Sequence, residues 1–211
     1  MKKLPFVIII SALLLSGCGT PSQKYGASKS EGVYFTVPNN WIEIPTQSLN
    51  AEEKKNGDNI ERTYQVKWQV AFTPSRDIRP GDVFNLATPE KPIAFARVRE
   101  LFPAEVNSIS YNEMRDVVVP LTKWIDGTAK DNHNLSLIND YERIEKGARG
   151  VRSIYTFDLK GVSSYIDQTV LLTPDHSKIY MFIVRCSVAC HEKYKAEMTK
   201  IADSFTVSGT K

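Results

Sequence analysis

Two of the three cysteines and one of the three histidines in the 211-residue chain fall in one short stretch, Cys186-Ser187-Val188-Ala189-Cys190-His191. Soft thiolates select Cu(I) and an imidazole adds a nitrogen ligand; the same two sulfurs could instead cycle as a redox pair, form a structural disulfide, or stay reduced and buried. His191-Glu192-Lys193-Tyr194-Lys195 begins like the zinc motif H-E-x-x-H. Lys195 holds the place of the second histidine, so two ligands do not share a helical face. Asp175-His176-Ser177 has the residue types of a nucleophilic triad, but three adjacent residues cannot form an in-line proton relay, and Pro174 and Asp175 suit a tight reversal. Asp126-Gly127-Thr128 and Asp131-Asn132-His133-Asn134 offer oxygen ligands without calcium-loop spacing. The chain has no Gly-x-Ser-x-Gly elbow and no Gly-rich phosphate loop. No catalytic residue or cofactor is therefore expected.

Compartment narrows the cysteine chemistry. Met1-Lys2-Lys3 is followed by an apolar run to Leu15 and then Ser16-Gly17-Cys18. A basic start, an apolar stretch too short to span a bilayer and small residues before a cysteine make an export signal. Leu15-Ser16-Gly17-Cys18 resembles the bacterial lipobox, in which cleavage precedes the cysteine and its sulfur is lipidated. The resemblance implies a signal peptide over residues 1–17 and a membrane anchor at Cys18. More than one acyl chain gives stable attachment. In a Gram-negative cell Gly19, in place of aspartate, implies the outer membrane facing the periplasm; otherwise the outer face of the cytoplasmic membrane is implied.

The formal charge of +3 comes from 27 basic and 24 acidic residues, and loss of Lys2 and Lys3 leaves 25 against 24. Nucleic-acid binding would call for a basic patch or stripe, so no nucleic-acid partner is expected.

The elements that must position these residues follow from periodicity. Residues 18–32 combine the lipidated cysteine with a Gly-, Ser- and Lys-containing segment lacking apolar period, expected as a flexible tether with a reach of about 20 Å. Residues 33–207 are expected as one domain and residues 208–211 as a tail. Tyr64, Val66, Trp68, Val70 and Phe72 alternate with Gln65, Lys67 and Gln69, predicting a strand with one buried and one wet face. Residues 151–159, 165–173 and 178–186 predict an antiparallel meander, and residues 179–184, apolar on both faces, a central strand. Ser110-Tyr111-Asn112-Glu113 has capping-box form, with Ile109 able to staple Met114, so a helix should start there and kink at Pro120. A last helix over residues 190–205 carries the core stripe Tyr194, Met198, Ile201 and Phe205, and a shorter one is expected over residues 49–55.

Tyr34-Phe35-Thr36-Val37-Pro38-Asn39-Asn40-Trp41 near the start, then Tyr180-x-Phe182-x-Val184 and Ile201-Ala202-Asp203-Ser204-Phe205 near the end, resemble the PsbP-like fold group. That group includes an extrinsic photosystem II subunit, a Ran-binding import factor and bacterial lipoproteins of the DcrB and LpqN type. Asn40 stands where the group has glycine, and Asn tolerates positive φ better than most residues. The resemblance implies an α+β fold, an antiparallel sheet flanked by helices as an α/β/α sandwich. It carries no catalytic residues over.

With Cys18 lipidated, Cys186 and Cys190 are the remaining thiols of an exported domain, and an even remainder in an oxidising compartment favours a disulfide. A turn from a strand ending at Cys186 to a helix opening at Cys190 could bring their Cα atoms into disulfide range. The alternative is a copper or thiol-redox site with His191, since C-x3-C is similar to the pair of envelope copper-delivery proteins; the proline that follows in that family is absent. The function expected is non-catalytic binding of an envelope protein partner. Its candidate surface is the long connection over residues 73–92, with Arg76, Arg79, Asp82 and Phe84, because structureless connections of that length are uncommon in compact domains.

Overall fold

A computed structural model describes residues 22–55, 65–86 and 90–208. Cys18, the residues before it and Tyr64 lie outside the described residues, as do residues 87–89 of the candidate loop and 209–211 of the tail.

Among the described residues, ten strands form two sheets. The larger is built from β3 (Ile42–Ile44), β4 (Val66–Thr73), β5 (Ile93–Glu100), β6 (Ser136–Glu145), β7 (Ala148–Leu159), β8 (Val162–Leu172) and β9 (Lys178–Ser187) in the order β3-β4-β5-β9-β8-β7-β6. Every neighbouring pair is antiparallel. The smaller sheet has the order β1-β2-β10, from β1 (Gln23–Ser28), β2 (Val33–Pro38) and β10 (Thr206–Val207). The helices with bounds among the described residues are α1 (Thr46–Lys55), α2 (Pro80–Phe84), α3 (Pro103–Val106), α4 (Tyr111–Arg115), α5 (Leu121–Ile125) and α6 (Val188–Asp203). This is the α+β sandwich expected, with one outer layer combining α6 and the small sheet.

Both faces of the large sheet are covered, and β9 lies at its centre as its two-sided apolar pattern requires. One face places Val70, Phe72, Tyr180, Phe182 and Val184 against Phe35, Trp41, Met198, Ile201 and Phe205. Phe182 stacks on Phe205 at 4.8 Å between ring centres, while Phe35 meets Phe72 edge-on. The other face is covered by α1 and α2 over β3 to β5, and by α3 to α5 over β7 to β9.

Several expectations are corrected. Residues 23–28 are not tether: β1 pairs with β2 from Gln23↔Pro38 to Ser28↔Val33. The strand is held by backbone pairing, so its sequence needs no apolar period. Gly26 sits where a Cβ would collide with the ring of Phe35. The helix expected to kink at Pro120 is instead two, α4 and α5, with Pro120 as the N-cap of the second; proline removes a ladder hydrogen bond and is tolerated at a helix start. The capping box does form: Ser110 Oγ accepts from the Glu113 N–H and Glu113 accepts from the Ser110 N–H. The face of β4 expected to be wet is covered where Gln69 is buried under α1. Asn40 does not adopt positive φ; the non-glycine residues that do, among the described residues, are His133, Asn134, Lys160 and His176.

Candidate functional site

The connection over residues 73–92 is not structureless. Pro80 opens α2, where its missing N–H costs nothing, and the Arg79 N–H donates to Asp82 Oδ2 at 2.8 Å. Val83 is buried, and Phe84 meets Phe95 edge-on at 5.8 Å. The Arg97 guanidinium lies 5.6 Å from the ring of Phe84 and 5.4 Å from that of Phe95, a cation–π arrangement. Arg185, buried on β9, donates to the carbonyls of Asp82 and Val83 at 2.7 and 3.0 Å. Burial pushes its pKa down to about 10, against the pull of Asp82. Of the four residues singled out in this loop, Phe84 packs inward, Asp82 caps the helix, and Arg76 and Arg79 remain exposed.

Facing α2 across an open groove of about 590 Å³ is the outer side of α1. Ser48, Ala51, Glu52 and Lys55 line one wall, and Arg79, Pro80, Gly81 and Asp82 the other. Glu52 pairs with Lys55 at 3.2 Å, and a Cβ at Gly81 would come within 3.3 Å of Glu52 Oε1. The inner side of α1 is locked to the sheet. Gln69 Nε2 donates to Asn50 Oδ1 at 2.6 Å and Glu53 Oε2 at 2.8 Å, while Gln69 Oε1 accepts from Arg97 Nη2 at 2.7 Å. Arg97 also pairs with Glu53. Desolvation lowers the pKa of Arg97, and the Glu53 carboxylate works the other way. A satisfied buried polar network rigidifies what it joins, so the groove has fixed walls carrying both charge signs. That suits recognition of a polar surface. The sequence predicts a short helix over residues 49–55; its opposition to residues 79–82 depends on tertiary contact and is not legible there.

The Cys186–Cys190 pair is bonded as a disulfide with Cα atoms 5.9 Å apart. Ser187 between them is the N-cap of α6 and accepts from the Cys190 N–H at 3.1 Å. Both cysteines are buried, at 1% and 3% exposure, and Met198 Sδ lies 3.5 Å from Cys186 Sγ. The His191 ring stacks on Tyr165 at 3.6 Å, 10° from parallel. Burial, then Lys195, lowers its pKa, while Asp167 and Glu192 oppose them. Among the described residues, no cluster of three His, Cys, Asp or Glu is arranged to hold a metal ion.

The other motifs are turns. Ser177 donates from N and Oγ to Asp175 Oδ1, at 3.1 and 2.8 Å, while His176 Nδ1 lies 3.3 Å from the Val106 carbonyl. Asp126 accepts from Thr128, and Asp131 from His133. On β6, which ends the large sheet opposite β3, Ile138 and Ile144 are exposed together with Leu137 and Tyr141. This apolar edge escaped the sequence reading.

No protein-family model and no curated protein matches the chain. Solved structures similar to it include cyanobacterial PsbP (CyanoP) from Synechocystis sp. PCC 6803, with 16% identity over 90% of this chain and 95% of that one and a TM-score of 0.48. LpqN, involved in cell envelope biogenesis of Mycobacterium tuberculosis, is 10% identical over 88% of this chain and 90% of that one, with a TM-score of 0.47. The Saccharomyces cerevisiae Ran-binding protein Mog1p is 11% identical over 89% and 96%, with a TM-score of 0.46.

Proposed function

We propose that this chain is a lipid-anchored, extracytoplasmic binding module without catalytic activity, and that its partner, an envelope protein, contacts the groove between α1 and α2. The observation that carries this reading is the fastening of both walls from beneath. Arg185 holds α2 by its carbonyls and the Glu53–Arg97–Gln69 network holds α1, leaving Glu52, Lys55, Arg79 and Asp82 at the rim. Rigid walls reduce the ordering cost of association, and opposed rim charges favour a partner of complementary pattern. A photoreactive amino acid placed at Ser48 in living cells should capture one defined protein. Capture should be lost in a Lys55→Glu/Arg79→Glu double variant; the same adduct at the same yield from that variant would reject the groove.

The alternative, a copper or thiol-redox protein using Cys186, Cys190 and His191, has less to support it, since the sulfurs are joined and buried and the imidazole is stacked on Tyr165.

A further inference from the structure

The geometry points to a second, fixed contact of this domain: the bilayer surface itself, met by the start of β1, the Asn39–Asn40 turn and the head of the connection that carries Arg76. This rests on the proposed lipid anchor at Cys18 and on the place of β1 in the chain. Only residues 19–22 separate Cys18 from β1. Fully extended, the steps from Cys18 to Gln23 cover at most about 18 Å at ~3.6 Å each. A domain of this length has a radius of gyration of roughly 16 Å and so a diameter of about 40 Å. The link is less than half of that, so the domain cannot turn its far side to the lipid. Had β1 been tether, as its sequence suggests, the steps from Cys18 to Val33 could have extended to about 54 Å at ~3.6 Å each, enough for much freer rotation.

The corner held near the lipid is defined by contacts. The Asn39 N–H donates to the Ser22 carbonyl at 3.1 Å, and Gln23 pairs with Pro38. The Lys24 ammonium donates to the Trp41 carbonyl and lies 5.5 Å above the ring of Phe72. Ile42, next along the chain, pairs with Thr73, where the connection bearing Arg76 departs. Ser22, Asn39, Asn40, Arg76 and Asp77 are exposed there. Beside them stands Tyr25, 73% exposed on the outside of the small sheet. A single exposed tyrosine is ordinary on a protein surface, but one beside the anchor suits the membrane–water interface, where tyrosine is enriched because its ring is apolar and its hydroxyl polar. An arginine at headgroup level is drawn to anionic lipid. The polar character of the rest suits contact with headgroups without insertion. β6 is six strand spacings from β3, about 29 Å at ~4.8 Å each, so its edge lies away from this corner.

The test uses the full lipidated protein in nanodiscs of phosphatidylethanolamine and phosphatidylglycerol doped with a lipid carrying a gadolinium chelate on its headgroup. Amide resonances of Lys24, Tyr25, Asn39, Asn40 and Arg76 should lose intensity severalfold more than those of Asp140, Tyr141 and Ile144. Inserting a long Gly/Ser segment after Gly19 should erase the contrast. Uniform loss across the domain, or greatest loss on β6, in protein whose mass proves Cys18 acylated would overturn the orientation while leaving the anchor intact. An unacylated Cys18 in protein that does not float with vesicles would overturn both.

Discussion

Arg185 on β9 donates to the main-chain carbonyls of Asp82 and Val83, so one buried cation fastens a helix more than a hundred residues earlier in the chain. Replacing it by methionine keeps much of the volume and leaves two carbonyls without that donor, a loss of about 1 to 3 kcal/mol. Lysine should not rescue fully, because it lacks the planar fork. Urea unfolding should show the loss, and amide exchange at Val83 should accelerate more than at Tyr180; unchanged exchange at Val83 would count against the fastening.

Arg152 is held by two carboxylates of different worth. Asp167 bonds it twice, at 2.8 and 2.7 Å, and both side chains are buried, whereas Asp203 bonds at 2.6 Å from a 57% exposed side chain. Burial opposes the charge on Arg152, but the Asp167 and Asp203 bonds outweigh it and raise its pKa. Asp167→Ala leaves the buried cation with only the exposed Asp203 and should cost about 3 kcal/mol, the lower end for a broken buried pair; Asp203→Ala should cost under about 1 kcal/mol. Equal losses in denaturant titration would contradict this ranking.

The Cys186–Cys190 bond closes a very short loop. Chain entropy then gives a contribution of about 2 kcal/mol, the low end for disulfides. A Cys186→Ala/Cys190→Ala variant should therefore fold, with a lower urea midpoint and a nearly unchanged slope. Mass spectrometry after alkylation of unreduced protein should find neither cysteine modified.

Because the neutral His191 ring is favoured in the folded state, its pKa falls below the usual value of about 6.5. The stability tied to the neutral ring is then complete above that value and is lost as pH falls through the lower, folded one. His191→Phe keeps a ring against Tyr165 and removes the titration. Stability of the variant between neutral and mildly acidic pH should be flatter than that of the parent; parallel curves would place the acid sensitivity elsewhere.

What could be read in advance was what burial writes into side chains. The alternation of Val66 to Phe72, the two-sided apolar run of β9 and the stripe of α6 each record a neighbour they must cover. β1 and β6 carry no such record: β1 is held by its ladder to β2, and much of β6 faces water. Gln69 was misleading for a related reason. A polar residue in an alternating strand suggests solvent, but here Asn50, Glu53 and Arg97, distant in sequence, take the place of water. The groove was half legible: the loop was named, its opposite wall was not.

β1 also decides where the gene should be cut for expression of a soluble fragment. A recombinant chain starting at residue 33 would leave the paired side of β2 bare and uncover Phe35 where Gly26 now lies against it. An unprotected strand edge beside an aromatic ring is a template for self-association. Starting at Ser22 keeps the edge closed and still removes the proposed lipidation site at Cys18.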